Sequence, residues 1–139
     1  MDTQLHPHDT APRILIAEPR PLLGALMMHV LGTLRLRGVG PFACKDCSLM
    51  WLDETEDTVA AAIISTGFPD GEAYALAAEL DARGLPFAFI SKAEHHIPWE
   101  FRDVPVIRLP YDVDDVRHAL LPLLRSPLRL QLPGVKLSA

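Results

Sequence analysis

Two polar residues stand directly after short apolar runs, where a buried strand would end in a loop. Glu18 follows the run 14–17, and Ser65 follows the run 59–64. In open α/β sheets, ligands bind at the loops beyond the carboxyl ends of the strands. A carboxylate there suits a hard cation such as Mg²⁺, whereas a serine hydroxyl becomes nucleophilic only beside a base. These two residues therefore mark a candidate site at one edge of the predicted sheet.

The motif Cys44-Lys45-Asp46-Cys47 is a second candidate site. The CxxC spacing occurs in redox pairs and as half of a zinc site. Zinc needs two more ligands, and the obvious candidates, His95 and His96, follow a different strand of the predicted sheet. No Trp or Pro flanks the pair in the thioredoxin manner. We therefore interpret both as structural cysteines, with a thiol-redox role and a metal-binding role as the alternatives.

The elements that position these residues alternate between strand and helix. Apolar runs predict five strands, at 14–17, 35–39, 59–64, 86–91 and 104–109. Apolar residues at helical spacing predict helices after Pro21, over 46–55, after Asp70 and after Asp112, and the two aspartates are the expected caps. Pro98 leaves room for one turn or none in 92–103, and Pro122 is expected to end or kink the last helix. This order predicts a doubly wound parallel sheet with helices on both faces.

Length and composition indicate one domain and exclude several classes of partner. A chain of 139 residues buries about two-thirds of its unfolded surface, which is enough for one core. The net charge of −5 argues against nucleic acid and an anionic membrane. Residues 1–12 lack a signal-peptide pattern and are expected to be a disordered arm. Two cysteines provide no disulfide framework, so we expect a cytoplasmic protein.

Four stretches together resemble the receiver domain of bacterial two-component response regulators, over about residues 13–124. They are RILIAEPRPLL at 13–23, STGFPDG at 65–71, PFAFIS at 86–91 and FRDVPVIRLPY at 101–111. The resemblance implies a flavodoxin-like five-stranded sheet of order 2-1-3-4-5. The fourth helix is expected to be short or missing. The resemblance also implies a role in a phosphorelay.

The resemblance places a phosphoryl pocket at positions where this chain departs from the pattern. The acidic pair that holds Mg²⁺ in receivers corresponds to Glu18 and Pro19, and the phosphate-accepting aspartate corresponds to Ser65. The invariant lysine, which pairs with the phosphoryl oxygens, corresponds to Leu109. The switch hydroxyl is retained as Ser91, and Pro110 matches a proline that is typically cis.

We therefore expect a degenerate phosphoacceptor pocket that has no catalytic residue, metal or cofactor. Its residues are Glu18, Pro19, Ser65, Gly67, Ser91, Leu109 and Pro110. Glu18 as a solvated loop carboxylate is one alternative, and Glu18 as a lone cation ligand is another.

The first helix offers a candidate interface. No formal charge occurs from residue 21 through residue 34, although a solvent-facing helix normally carries charges. Leu23, Met27, Val30 and Leu34 are expected inward, which leaves an uncharged outer face at Ala25, Met28, His29 and Gly32. Receivers similar to this chain dock on histidine-kinase helices through this region.

Residues 125–139 form a tail that offers a second surface. Leu128, Leu130 and Leu132 alternate with polar residues, which is the period of a half-buried strand. Such a strand could add to a sheet edge within the chain or across a homodimer.

These observations predict a non-enzymatic, stand-alone receiver that acts by protein interaction without phosphorylation. Its expected partner is a histidine kinase or another signalling protein, which it would inhibit or scaffold. One alternative is a receiver phosphorylated at an unusual residue. The alternative of another class is a thiol-redox or metal-binding protein that uses Cys44 and Cys47.

Overall fold

A computed structural model of the chain describes residues 11–55, 58–92 and 96–124. The predicted tail 125–139, nearly all of the predicted arm, and His95 lie outside these described residues. The predictions made for them stay predictions.

Five strands and four α-helices alternate along the described residues. The strands are β1 (Arg13–Ala17), β2 (Arg37–Phe42), β3 (Ala61–Ser65), β4 (Phe87–Ser91) and β5 (Val106–Arg108). The helices are α1 (Pro21–Thr33), α2 (Lys45–Glu54), α3 (Glu72–Ala82) and α4 (Val113–Leu124). Every strand pair is parallel, and the order is β2-β1-β3-β4-β5. This confirms the predicted flavodoxin-like sheet. Between β4 and β5 the described residues form one short 3₁₀ turn, Trp99–Phe101, in place of a long helix.

The alternation of side chains along the strands builds two apolar layers. Ile14, Ile16 and Ile63 pack with α1 and α4 on one face of the sheet. Leu15 and Ile64 pack with α2 and α3 on the other face, where five ring pairs join the aromatic residues Tyr74, Phe87, Phe89 and Phe101. Burial on both faces explains why these strands read as continuous apolar runs. No helix in the described ranges is long and apolar enough to cross a membrane.

Strand β2 runs past Gly40 and Pro41, where we predicted that it would end. It lies at the edge of the sheet and pairs with β1 alone. The pairing shifts register between Leu15 and Ala17, opposite this dipeptide. Proline is tolerated at edge strands and at bulges, because a missing N–H then removes no required ladder bond.

The predicted helix caps have different outcomes. Asp112 caps α4 as predicted, because its Oδ1 accepts a bond of 2.8 Å from the N–H of Asp115, whose carboxylate accepts from the N–H of Asp112. Asp70 does not cap α3: it lies in a 3₁₀ turn at φ 59°, and Gly71 precedes the helix. Pro122 does not end α4, which continues to Leu124.

Candidate functional site

Glu18 lies just beyond β1 and is buried, with 3% of its side chain exposed. Its carboxylate accepts three bonds from Arg20: the backbone N–H and Nε donate to Oε2 at 2.9 and 3.0 Å, and Nη2 donates to Oε1 at 3.4 Å. A buried carboxylate is costly unless it is paired and hydrogen-bonded, and the guanidinium fork supplies both. Glu18 is therefore not a solvated loop carboxylate.

Ser65 is the last residue of β3 and is fully buried. Its Oγ accepts a hydrogen bond of 3.1 Å from Nη2 of Arg20 and one of 3.0 Å from the backbone N–H of Gly67. The guanidinium of Arg20 thus joins the ends of β1 and β3. The two polar residues that the sequence analysis singled out share one cationic partner.

Gly67 leaves the space that Arg20 occupies. A Cβ at this position would lie 2.9 Å from Nη2 of Arg20, 3.0 Å from its Cζ and 3.1 Å from Oγ of Ser65. Any side chain here would have to displace the guanidinium or the hydroxyl. The absence of a side chain at residue 67 therefore helps to position Arg20.

Arg20 is the residue that sequence reasoning missed. The one available signal was an arginine two positions after the acidic residue that ends a buried run. That spacing does not show which way the side chain turns, because an exposed loop arginine has the same sequence. Pro19, between them, adds no carboxylate.

Ser91 belongs to a separate hydrogen-bond group at the end of β4. Its Oγ donates to the backbone carbonyl of Lys92 at 3.0 Å and accepts from Oγ1 of Thr66 at 2.9 Å. The hydroxyl is therefore held by the two neighbouring loops.

Leu109 and Tyr111 follow β5 and pack against the apolar layer of α1 and α4. Leu109 is half-buried against the α1 and α4 layer, and the peptide bond before Pro110 is cis, as the resemblance implied. The Tyr111 hydroxyl is buried and has no hydrogen-bond partner among the described residues. Burial raises the pKa of the Tyr111 phenol, and the negative charge of Glu18 raises it further.

The arrangement contains one buried anion and one cation, which neutralise each other. No three His, Cys, Asp or Glu side chains in the described part of the chain are placed to hold a metal ion. Arg20, which donates to the Ser65 hydroxyl, also donates to both oxygens of the Glu18 carboxylate.

Cys44 and Cys47 are joined by a disulfide at the start of α2, with Cα atoms 5.3 Å apart. Sγ of Cys44 also accepts a hydrogen bond from the backbone N–H of Cys47, and thereby caps the helix. The sequence analysis did not expect a disulfide here. The pair follows the edge strand β2, at the far side of β1 from Ser65.

The outer face of α1 differs in part from the predicted one. Ala25, His29 and Gly32 are exposed, as expected. Met28 is half-buried and covers Gly38, where a Cβ would lie 2.5 Å from its Sδ. Leu22 and Leu26, for which the sequence analysis made no prediction, are exposed, at 84% and 45%.

Comparison with solved structures identifies the family. The BeF3-activated conformation of SdrG from Pseudomonas melonis Fr1 is 30% identical, with a TM-score of 0.69, over 83% of this chain and 98% of SdrG. A CheY-like response regulator receiver domain from Methylobacillus flagellatus shares the fold, with a TM-score of 0.71 at 17% identity over 82% and 99% of the two chains. This chain belongs to the response regulator receiver family.

The receiver is also similar to SdrG from Sphingomonas melonis Fr1, at 29% identity and a TM-score of 0.71, over 82% of this chain and 97% of that one. No protein-family model and no curated protein matches this receiver. The family places the chain among the receivers of two-component signalling.

Proposed function

We propose that this receiver is a phosphorylation-independent protein-interaction module, which inhibits or scaffolds a signalling kinase. The observation that carries the proposal is the guanidinium of Arg20, which binds both Glu18 and Ser65 inside the pocket. The chain's own cation therefore satisfies the acidic residue that would otherwise attract a metal ion.

The chemistry of the pocket supports the absence of phosphoryl transfer. An aspartate nucleophile forms an acyl phosphate, whereas a serine needs a base, and Arg20 engages the carboxylate of Glu18. The position of the lysine that would pair with phosphoryl oxygens carries Leu109, packed against the core. A phosphoryl group that is not bound cannot shift a conformational equilibrium. Function would then depend on a surface that is always presented.

The outer face of α1 is the surface best suited to this role. Leu22, Ala25, Leu26 and His29 are exposed at spacings i, i+3, i+4 and i+7, and therefore form one stripe along the helix. No charged side chain lies within α1. Helical partners recognise apolar stripes with this spacing. Leu22 and Leu26 expose more apolar surface than the half-buried Met28 does. This face is therefore a better candidate interface than the one centred on Met28.

The partner that fits the stripe is an amphipathic helix pair, such as the dimerisation helices of a histidine kinase. A second copy of this receiver is the other candidate, because an apolar stripe can also pair with itself. If the partner is a second copy of the receiver, substitutions in α1 should lower the oligomeric mass. If the partner is a kinase, they should not.

The test compares Leu26→Glu with Met50→Glu, in a binding measurement against kinase dimerisation domains from the source cell. Met50 is the matched control, because it is also exposed, at 56%, but lies on α2. We expect Leu26→Glu to weaken binding about tenfold or more, as loss of a central apolar anchor does, and Met50→Glu to leave it unchanged. Acetyl phosphate should not change the affinity. Binding that survives Leu26→Glu, or that requires acetyl phosphate, would overturn the proposal.

A further inference from the structure

A groove lies at the edge of the sheet opposite Arg20, where β4 and β5 begin. Its volume is about 380 Å³, within the roughly 300–1,000 Å³ of ordinary ligand sites. The end of α3, the 3₁₀ turn before β5 and the end of α4 complete its walls. The apolar lining includes Leu85, Phe87, Phe101, Val104 and Leu123. We call this site the amino-edge groove.

The rim of the amino-edge groove is acidic. Asp81, Glu100 and Asp103 are exposed and line it, and none of the lining residues in the described part of the chain is a lysine, arginine or histidine. No ion pair joins these three carboxylates to a basic residue within the described ranges. The apolar floor and the anionic rim together favour an occupant with apolar and basic side chains.

Two described arginines that are close in sequence to the rim have partners outside the groove. The Arg102 guanidinium lies 4.4 Å from the centre of the Trp99 ring and donates to the Trp99 carbonyl. Arg83 pairs with Asp53 at 2.9 Å. Neither of these two arginines pairs with the carboxylates of the rim.

Residues 125–139 have the complementary composition. This segment carries Arg125, Arg129 and Lys136 and contains no acidic residue. Leu128, Leu130 and Leu132 alternate with polar residues, so an extended backbone places the leucines on one side. The segment follows Leu124, one residue beyond Leu123, which lines the groove.

We propose that residues 125–132 bind the amino-edge groove of the same chain, with leucines on its floor and the arginines at its acidic rim. Extended chain advances about 3.3 Å per residue, so the three leucines lie within reach of a groove that begins at Leu123. Covalent attachment gives such a segment a local concentration in the millimolar range. Weak individual contacts are then sufficient for occupancy. The groove is distinct from the α1 stripe, so this inference does not depend on the proposed function.

Amide hydrogen exchange of the full-length protein tests the inference. We expect the amides of residues 128–132 to exchange more slowly than in an unstructured peptide of the same sequence. Asp103→Lys should reduce that protection about twofold to fivefold, the range for partly exposed ion pairs. The matched control is Glu54→Lys, which makes the same charge change at an exposed residue of α2 outside the groove, and it should have no effect.

A second variant, Arg129→Glu, keeps the test independent of the folded elements. It lies beyond α4, so loss of protection at 128–132 together with unchanged protection of the strands would support the inference. Exchange at the unstructured rate in the unmodified protein would overturn it. Protection that rises with protein concentration would also overturn it, because the segment would then bind a second copy.

Discussion

Arg20 and Glu18 form a two-pronged ion pair at the end of β1, with Nε 3.0 Å from Oε2 and Nη2 3.4 Å from Oε1. The two residues are two positions apart, so the pair closes within one loop. A third bond, from Nη2 to the Ser65 hydroxyl, ties that loop to the end of β3. The Arg20 guanidinium therefore supplies the positive charge of this pocket.

Removing the guanidinium should destabilise the fold. Arg20→Ala leaves Glu18 buried without its partner, and we expect the free energy of unfolding to fall by about 1–3 kcal/mol. This range lies below that of a fully buried pair, because 37% of the Arg20 side chain is exposed. Urea denaturation measures the change. Arg83→Ala, which breaks a surface pair with Asp53, is the control and should cost less than about 1 kcal/mol. Equal losses in the two variants would contradict this account of Glu18.

Gly67→Ala should displace Arg20. The added Cβ would lie 2.9 Å from Nη2, so the guanidinium must move and weaken its bonds to Glu18 and Ser65. We expect a loss of about 1–2 kcal/mol in the free energy of unfolding, and a change in the Nε resonance of Arg20. Gly32→Ala is the matched control, since a Cβ there meets nothing within 4 Å. It lies inside a helix and should stabilise the protein by up to about 1 kcal/mol. An unaltered Arg20 resonance in Gly67→Ala would show that the pocket has spare room.

Tyr111 should make the fold sensitive to high pH. Burial and the charge of Glu18 raise the pKa of its phenol in the folded state, so folding favours the protonated form. The associated stability is present below the unfolded pKa of about 10 and is lost as the pH rises through the folded pKa. Tyr111→Phe removes the titrating group, together with a buried hydroxyl that has no partner among the described residues.

We therefore expect Tyr111→Phe to raise the free energy of unfolding at pH 7 by about 1 kcal/mol, and to reduce its decline above pH 10. Burial also raises the pKa of Tyr74, which should account for part of the decline that remains. Denaturation curves between pH 7 and pH 11 provide the measurement. A steeper alkaline decline in the phenylalanine variant would disprove the assignment.

Magnesium and beryllofluoride should leave the protein unchanged. Arg20 satisfies Glu18, so neither Mg²⁺ nor a phosphoryl mimic gains a ligand set in the pocket. We expect millimolar Mg²⁺ with BeF3⁻ to produce no saturable rise in melting temperature. SdrG, which has a BeF3-activated conformation, is the natural comparison under the same conditions. A saturable rise in this receiver would show that Glu18 still binds metal.

The sequence predicted the parts of the fold that depend on local patterns. The apolar runs of β1, β3 and β4 are buried on both faces, so periodicity and length were sufficient to place them. Strand β2 was harder, because Gly40 and Pro41 are tolerated only through its edge position, which is a property of the whole sheet. The prediction that Asp70 caps α3 was wrong, because Asp70 lies at φ 59° in the turn before the helix.

The sequence placed Glu18 and Ser65 at the same edge of the sheet but did not show which residue joins them. Glu18 and Ser65 do converge at one sheet edge, as parallel strands require. The bonds from Arg20 to both residues could not be predicted from the sequence. The direction of the Arg20 side chain depends on its contact with the end of β3 and on the space left at Gly67. The exposure of Leu22 was missed for a similar reason: helical spacing defines a stripe, and only tertiary packing decides how wide the buried part is.

Intact mass after incubation with Mg²⁺ and acetyl phosphate tests the central claim most directly. Arg20 engages the Glu18 carboxylate and Leu109 supplies no cation, so the account predicts an unchanged mass for the full-length protein. A receiver with the intact acidic pocket, treated in parallel, should gain one phosphoryl group. A gain of one phosphoryl mass by this chain, lost in Ser65→Ala, would contradict the account and show that the pocket still accepts phosphate.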